Sequence, residues 1–492
     1  MATIDLTSYD ATAIAQLIAE RKISEAEVLD ATLARIDALE PKLNAIAVDT
    51  RDRARSQLAS PQAGKFAGVP FLLKDLAQDY AGIRMTMGSR ATRNNVPTTN
   101  ATYVDRCLAA GLVIVATTTT PELGLKAITE TALHGASRNP WNTERTPGGS
   151  SGGSGAAVAA RYVPMAGASD GGGSIRIPAA FCGLFGLKPS RGRIPEGPAA
   201  GELWEGAVCS HTLTRSVRDS AAMLDCLAGP APGEPFNIAP PLRPYSEEVG
   251  VDPGRLRIGF STRSPIGGRV DAENITAVRE AAKLLESLGH YVEEAEPAID
   301  GKALAQSYMT MYFAHVAALM AQVMAQTGAP ATDFETDTRA LALLGRALSA
   351  GDFVTSVHGW NNYARALGAF HQRYDLFLTP TVAMAPSKIG ELATPPAQER
   401  LAKIAITLRA GKLMLKSGII DDLAFRNLER TPFTQLANLC FVPSMSVPLH
   451  HSAEGLPVGV MFTAKFGGED ILFRLAAQLE QAAPWEQRRP PI

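Results

Sequence analysis

Apolar positions in the first sixty residues recur with a helical period. Val28, Leu29, Thr32, Leu33, Ile36 and Leu39 share one face, the spacing of a helix packed on a core. Ser24 and Glu27 form an S-x-x-E capping box ahead of that face, with Ile23 and Val28 at the staple positions. The pattern predicts helices over about residues 10–60 and carries no chemistry. From Phe66 the texture changes. VPFLL (Val69–Leu73) and LVIVA (Leu112–Ala116) have the length and β-branched content of buried strands. Residues 230–255 are dense in Pro and Gly and read as a long surface connection. A strand, RLRIGFS, then precedes a helix near Asn274–Leu288, and residues 300–370 and 398–430 read as helical. Strand-like runs return at Tyr374–Thr381, Phe441–Leu449 and Leu456–Ala464, and a last helix covers Asp470–Ala482. His450 and His451 read as a surface turn. Alternating strands and helices predict an α/β fold, its sheet covered on both faces. The strands come from both ends of the chain, so residues 1–492 form one large domain.

Composition narrows the function. The chain has 492 residues, 47 basic and 49 acidic, and is 46% hydrophobic. A large core is available. Balanced charge argues against nucleic acid as the main partner, since that binding rests on phosphate neutralisation. No uninterrupted apolar stretch approaches the ~18 residues of a membrane helix, and no membrane partner is expected. The start lacks a basic region followed by an apolar one, and the five cysteines are scattered without a CxxC pair. Both point to a reduced, cytoplasmic protein without a structural zinc site.

Three segments carry candidate chemistry. The first is Gly148-Gly149-Ser150-Ser151-Gly152-Gly153-Ser154-Gly155. A Gly/Ser loop opening a helix can trap an anion or oxyanion; a phosphate loop fits poorly, because no GKS/T or GxGxxG spacing is present. The second is Asp170-Gly171-Gly172-Gly173-Ser174-Ile175-Arg176. Its successive N–H groups beside a serine could hold the oxyanion of an acyl intermediate, at about 2.7–4 kcal/mol per donor, or form an ordinary glycine turn. The third is Lys74, ending an apolar strand, where burial would lower its pKa and make it a base. The alternative is a lysine paired with Asp75 or reaching to the surface. His134 and His211 lie in loop-like stretches nearby, yet neither belongs to a nucleophile elbow.

Together, Lys74, GGSSGGSG, DGGGSIRIPA, CGLFGLKPSRGRI, YDLFLTPT and LPVGVMF closely resemble the amidase signature family, over residues 10–485. Ser150 and Ser174 stand 24 residues apart, as in that family. The resemblance implies a mixed, twisted sheet and a serine hydrolase. Ser174 would be the acyl-forming nucleophile, Ser150 a bridging serine with a cis peptide bond, and Lys74 the neutral base. The N–H groups of Gly171, Gly172, Gly173 and Ser174 would form the oxyanion hole. Ser151 and Ser154 would hold the first turn, and Asp170 and Arg176 could pair and stiffen the second, unless Arg176 lies at the surface. No metal or organic cofactor is implied.

The chain departs from the family in places. Ser169 stands where Thr is common, Gly171 where a β-branched residue is, and Ile177 where the tRNA-dependent transamidase branch has Gln. FAGVPFLLKDL and SRNPWN are similar to hydrolases of aminohexanoate cyclic dimers. The expected substrate is a small-molecule linear, cyclic or aryl amide, ester or carbamate, and the size is compatible with a homodimer. A transamidase subunit and a non-catalytic small-molecule binder are the alternatives. Trp204 and the stripe Tyr308–Phe313, with Tyr308 and Tyr312, are candidate substrate walls; helical aromatic stripes are also common core.

Overall fold

Strand and helix alternate as the apolar pattern predicts. The computed structural model describes residues 5–416 and 419–492. Its strands are β1 (Ile46–Asp49), β2 (Pro70–Lys74), β3 (Val113–Thr118), β4 (Glu130–Thr131), β5 (Gly135–Ala136), β6 (Met165–Asp170), β7 (Phe185–Lys188), β8 (Cys209–Thr214), β9 (Arg257–Phe260), β10 (Tyr291–Glu294), β11 (Leu376–Pro380), β12 (Ser444–His451) and β13 (Pro457–Ala464). Eleven form one mixed sheet in the order β1-β3-β2-β6-β8-β7-β12-β13-β11-β9-β10, and β4 pairs with β5 apart from it. Early and late strands meet where β7 pairs with β12.

The N-terminal helices are Ala11–Ala19, Glu25–Leu43 and Arg51–Gln57. The capping box is made, with Ser24 and Glu27 bonded in both directions. Two expectations need correction. The helical reading of residues 10–60 overlooked β1, a four-residue strand antiparallel to β3, too short to show an alternation. His450 and His451 are not a turn: they end β12, opposite Val458 and Pro457.

Alternation along β2 sends residues to two cores. Phe71 and Leu73 pack with the helices Val217–Leu227 and Glu469–Ala482. Leu72 packs with Glu25–Leu43 and Gly152–Ala159. Lys74 shares the parity of Leu72, so it leaves the strand on the side of the Gly152–Ala159 helix. β2 and β6 are parallel neighbours, with Leu72 opposite Ala166. Their last residues, Lys74 and Asp170, therefore emerge at one edge, where α/β sheets gather ligand sites.

A third core surrounds the helix Gly301–Thr327 and draws on Thr336–Ala347, Ala350–Phe370 and Ile419–Leu428. Among the described residues this is the one helix long and apolar enough to cross a membrane, by length and composition. Half of its apolar window lies inside the protein, and Met311, Phe313 and Val316 are buried in the third core.

Candidate active site

Lys74 has no exposed surface. Its Nζ donates to Ser150 Oγ at 2.7 Å and to Ser169 Oγ at 2.9 Å, with Ser169 O at 3.4 Å. Its backbone N–H donates to Gln78 Oε1 at 2.7 Å, and Gln78 Nε2 donates to Ala168 O at 3.3 Å, which ties the end of β2 to β6. Asp75 is not the lysine's partner. Its carboxylate takes the backbone N–H of Thr86 at 2.9 Å and the Thr86 hydroxyl. Burial pulls Lys74 down to about 7, although the Asp170 charge pulls the other way. Burial likewise pushes Asp75 up to about 7 against the Thr86 hydrogen bonds.

The Gly149–Ser150 peptide bond is cis, and Ser150 is buried. Thr129 Oγ1 donates to Gly148 O at 2.9 Å, and Thr146 Oγ1 accepts from Gly148 N at 3.2 Å. Ser154 Oγ donates to Gly167 O at 2.7 Å and lies 2.7 Å from Thr118 Oγ1. Ser151 Oγ lies 3.4 Å from both N and O of Ser169. Both serines hold the first turn to β6. The same turn packs on the helix that follows Ser174, where Cys182 Sγ donates to Pro147 O at 3.4 Å.

The second turn is organised around a carboxylate. Asp170 accepts from Gly173 N at 2.7 Å, Ile175 N at 3.1 Å and Arg176 N at 3.4 Å. The Arg176 guanidinium adds Nε at 2.9 Å and Nη2 at 2.8 Å. Neither side chain is exposed, so the surface alternative for Arg176 falls. Arg176 also donates to Thr434 O and Asn438 Oδ1, and Asn438 Nδ2 donates to Asp170. Burial raises the Asp170 pKa, but Arg176 and Asn438 outweigh it and hold the carboxyl well below its usual range.

Gly173 has φ +125°, a conformation that requires glycine. Its N–H is committed to Asp170, which corrects the four-donor expectation. The N–H groups of Gly171, Gly172 and Ser174 are bonded to no acceptor among the described residues. Ser174 is half-buried, and its hydroxyl makes no hydrogen bond among the described residues. The lysine end of the expected relay is bonded; the Ser150–Ser174 link is not.

Trp204, Tyr308 and Tyr312 gather over this turn. A Cβ on Gly171 would fall 3.0 Å from the Trp204 ring, and one on Gly172 would fall 2.1 Å from Tyr308 Oη. Trp204 packs edge-on to Tyr312 at 5.5 Å between centroids, and Tyr308 stacks on Tyr312 at 6.1 Å. The Tyr312 hydroxyl donates to Leu125 O. The stripe is thus core, and through Tyr308 it also abuts the glycine turn. The histidines stand apart: His134 bonds Thr86, and fully buried His211, lowered by burial to about 3, bonds Ser220. The sequence reading missed Gln78, Ser169 as a lysine partner, Thr434 and Asn438. Only Ser169 carried a signal, as a departure inside the motif.

Residues 27–473 match the model of a family described as amidase. The chain belongs to the amidase family. Relatives of this amidase include the 6-aminohexanoate-cyclic-dimer hydrolase of Pseudomonas sp. strain NK87, 38% identical over all of this chain and 98% of that one. Among solved structures, a 6-aminohexanoate cyclic dimer hydrolase complexed with substrate aligns with TM-score 0.91 and 35% identity over 99% of each chain. A bacterial aryl acylamidase of the amidase signature enzymes aligns with TM-score 0.85 and 25% identity over 97% of each chain. The amide-hydrolase reading and the α/β fold of the family both hold.

Proposed function

We propose that this amidase cleaves its amide by acyl transfer to Ser174, with Ser150 and Lys74 as the proton path. The observation that supports the reading is the 2.7 Å contact between Lys74 Nζ and Ser150 Oγ, buried beside the glycine turn that carries Ser174. A lysine lowered to about 7 is neutral in about half of the molecules at neutral pH. Neutral Nζ can reverse the observed bond and accept the Ser150 proton, while Ser150 accepts the proton of Ser174. Ser174 Oγ then adds to the carbonyl carbon, and the oxyanion takes the unbonded N–H groups of Gly171, Gly172 and Ser174. Collapse breaks the C–N bond as the proton returns through Ser150 to the leaving nitrogen. Water repeats the sequence on the acyl-enzyme and releases the acid. Catalytic hydrogen bonds are often long before substrate binds, which accommodates the unmade Ser150–Ser174 link.

The substrate class follows from the wall and the relatives. Trp204, Tyr308 and Tyr312 present aromatic surface to the turn, which favours a cyclic or aryl amide with an apolar body over a small polar one. Intact-protein mass spectrometry after exposure to a fluorophosphonate tests the mechanism. The expected result is one adduct at Ser174, absent in Ser174→Ala and slowed in Lys74→Ala. A Ser174→Ala protein that still reacts at another serine would overturn the assignment.

A further inference from the structure

The phenol of Tyr308 lies beside the glycine turn and, like the Ser174 hydroxyl, has no hydrogen-bond partner among the described residues. Its ring is buried, 7% exposed, on the helix Gly301–Thr327. Stacking on Tyr312 fixes the ring plane, and Tyr312 is itself anchored through its hydroxyl to Leu125 O. Tyr308 Oη makes no hydrogen bond among the described residues, and it is not among the polar atoms sealed from solvent. It also sits where a Cβ on Gly172 would be, 2.1 Å from that point. A hydroxyl held this close to a backbone would ordinarily bond it. Here the nearby Gly172 carbonyl is already saturated, taking Thr434 Oγ1 at 2.6 Å and Gln435 Nε2 at 3.0 Å. The Gly172 N–H beside it is unbonded as well. Two donors without acceptors, the phenol from the helix and the N–H from the turn, thus lie together just before Ser174.

We infer that Tyr308 donates its hydroxyl to the substrate's carbonyl oxygen as that oxygen becomes an oxyanion, adding a side-chain donor to the backbone donors of the turn. The inference rests on the acyl-transfer reading above. The phenol keeps its proton throughout. Burial raises its pKa, and the Asp170 charge adds to the rise, so it remains a donor wherever Lys74 is neutral. A donor that meets its acceptor only in the tetrahedral state lowers the barrier without tightening ground-state binding. Tyr308 adds a donor beside Gly172 on a turn where the Gly173 N–H is given to Asp170. The stacked rings hold the hydroxyl in place before reaction, so little reorganisation is needed.

The test is Tyr308→Phe, which keeps the ring stack and removes one oxygen. Fluorophosphonate labelling at Ser174 is followed over a range of probe concentrations, because the phosphoryl oxygen takes the oxyanion position. The expected result is a fall of about 10²-fold in the limiting rate of inactivation, with the half-saturating concentration unchanged. Thermal unfolding of the variant should match wild type, since the lost hydroxyl has no partner among the described residues. Labelling at the wild-type limiting rate overturns the inference, and so does a change in half-saturation alone, which would make Tyr308 only a wall. A drop in Tm that accounts for the rate loss also overturns it. Failure of the underlying reading is distinct: wild type would then show no adduct at Ser174, or Ser174→Ala would still be labelled.

Discussion

Lys74 and Ser150 stand 76 residues apart in the chain and 2.7 Å apart in the fold. Burial that removes Lys74 from water also lowers its pKa to about 7. A base works when neutral, so kcat/KM should rise with pH through about 7 with unit slope. Lys74→Met should lose that limb and about 10²–10⁴-fold in rate. A pH–rate profile of both proteins on an anilide checks this.

The same shift couples to stability. The folded lysine titrates near 7 and the unfolded one near 10.5, so between these values the unfolded chain holds the extra proton. Stability contributed by this site should therefore rise with pH across that window, by about 1.4 kcal/mol per pH unit, and be lost as pH falls through about 7. Urea unfolding at several pH values should show the slope in wild type and its absence in Lys74→Met.

Ser169 gives Lys74 a second hydroxyl acceptor at 2.9 Å. Removing it disfavours the charged lysine, so Ser169→Ala should move the acid limb of kcat/KM to lower pH. Ser169→Thr retains the hydroxyl and should restore the wild-type limb.

Arg176 and Asp170 form a pair with no exposed surface. Arg176→Met leaves a buried carboxylate without its cation and should cost about 3–5 kcal/mol by denaturant unfolding. Adding Asp170→Asn should cost less than the sum of the single changes, because the uncompensated charge disappears.

Gly172 has no room for a side chain, since a Cβ would meet Tyr308 Oη at 2.1 Å and its ring carbon at 2.8 Å. Gly172→Ala should push the turn or the tyrosine aside and destabilise by about 1–3 kcal/mol. Calorimetry together with the labelling rate at Ser174 would register both effects.

Local pattern carried much of this fold. The Ser24–Glu27 box, the apolar β2 run ending in Lys74 and the two glycine turns are features of contiguous sequence, set by backbone sterics and by side-chain periods of 2 and 3.6. Those features marked Lys74, Ser150, Asp170 and Arg176 as candidates, the family resemblance joined them, and the fold brings them together at one edge of the sheet. The unread parts depend on distant partners. Asn438 reaches Asp170 across 268 positions and Thr434 reaches Gly172 across 262, and no local period encodes such a meeting. The loss of Gly173 as a free donor depends on how Asp170 folds back over its own turn. The β1 strand is too short to alternate, and the polar end of β12 hides its pairing with β13.

The pairing of β7 with β12, and the bracing of the Asp170 turn by Asn438, have a consequence for biosynthesis. Translation delivers Lys74, Ser150 and Ser174 early and the residues that brace the Asp170 turn, Thr434 and Asn438, late. A ribosome that has made the first four hundred residues has made every proposed reacting group and no finished centre. β12 and β13 join the early strands to β11, β9 and β10, so the sheet is continuous only after these residues leave the exit tunnel, and contacts this remote in sequence are slow to form. The nascent chain thus carries the proposed nucleophile on an unbraced turn while it is surrounded by other amide bonds, and competence awaits the residues around Asn438 and β12.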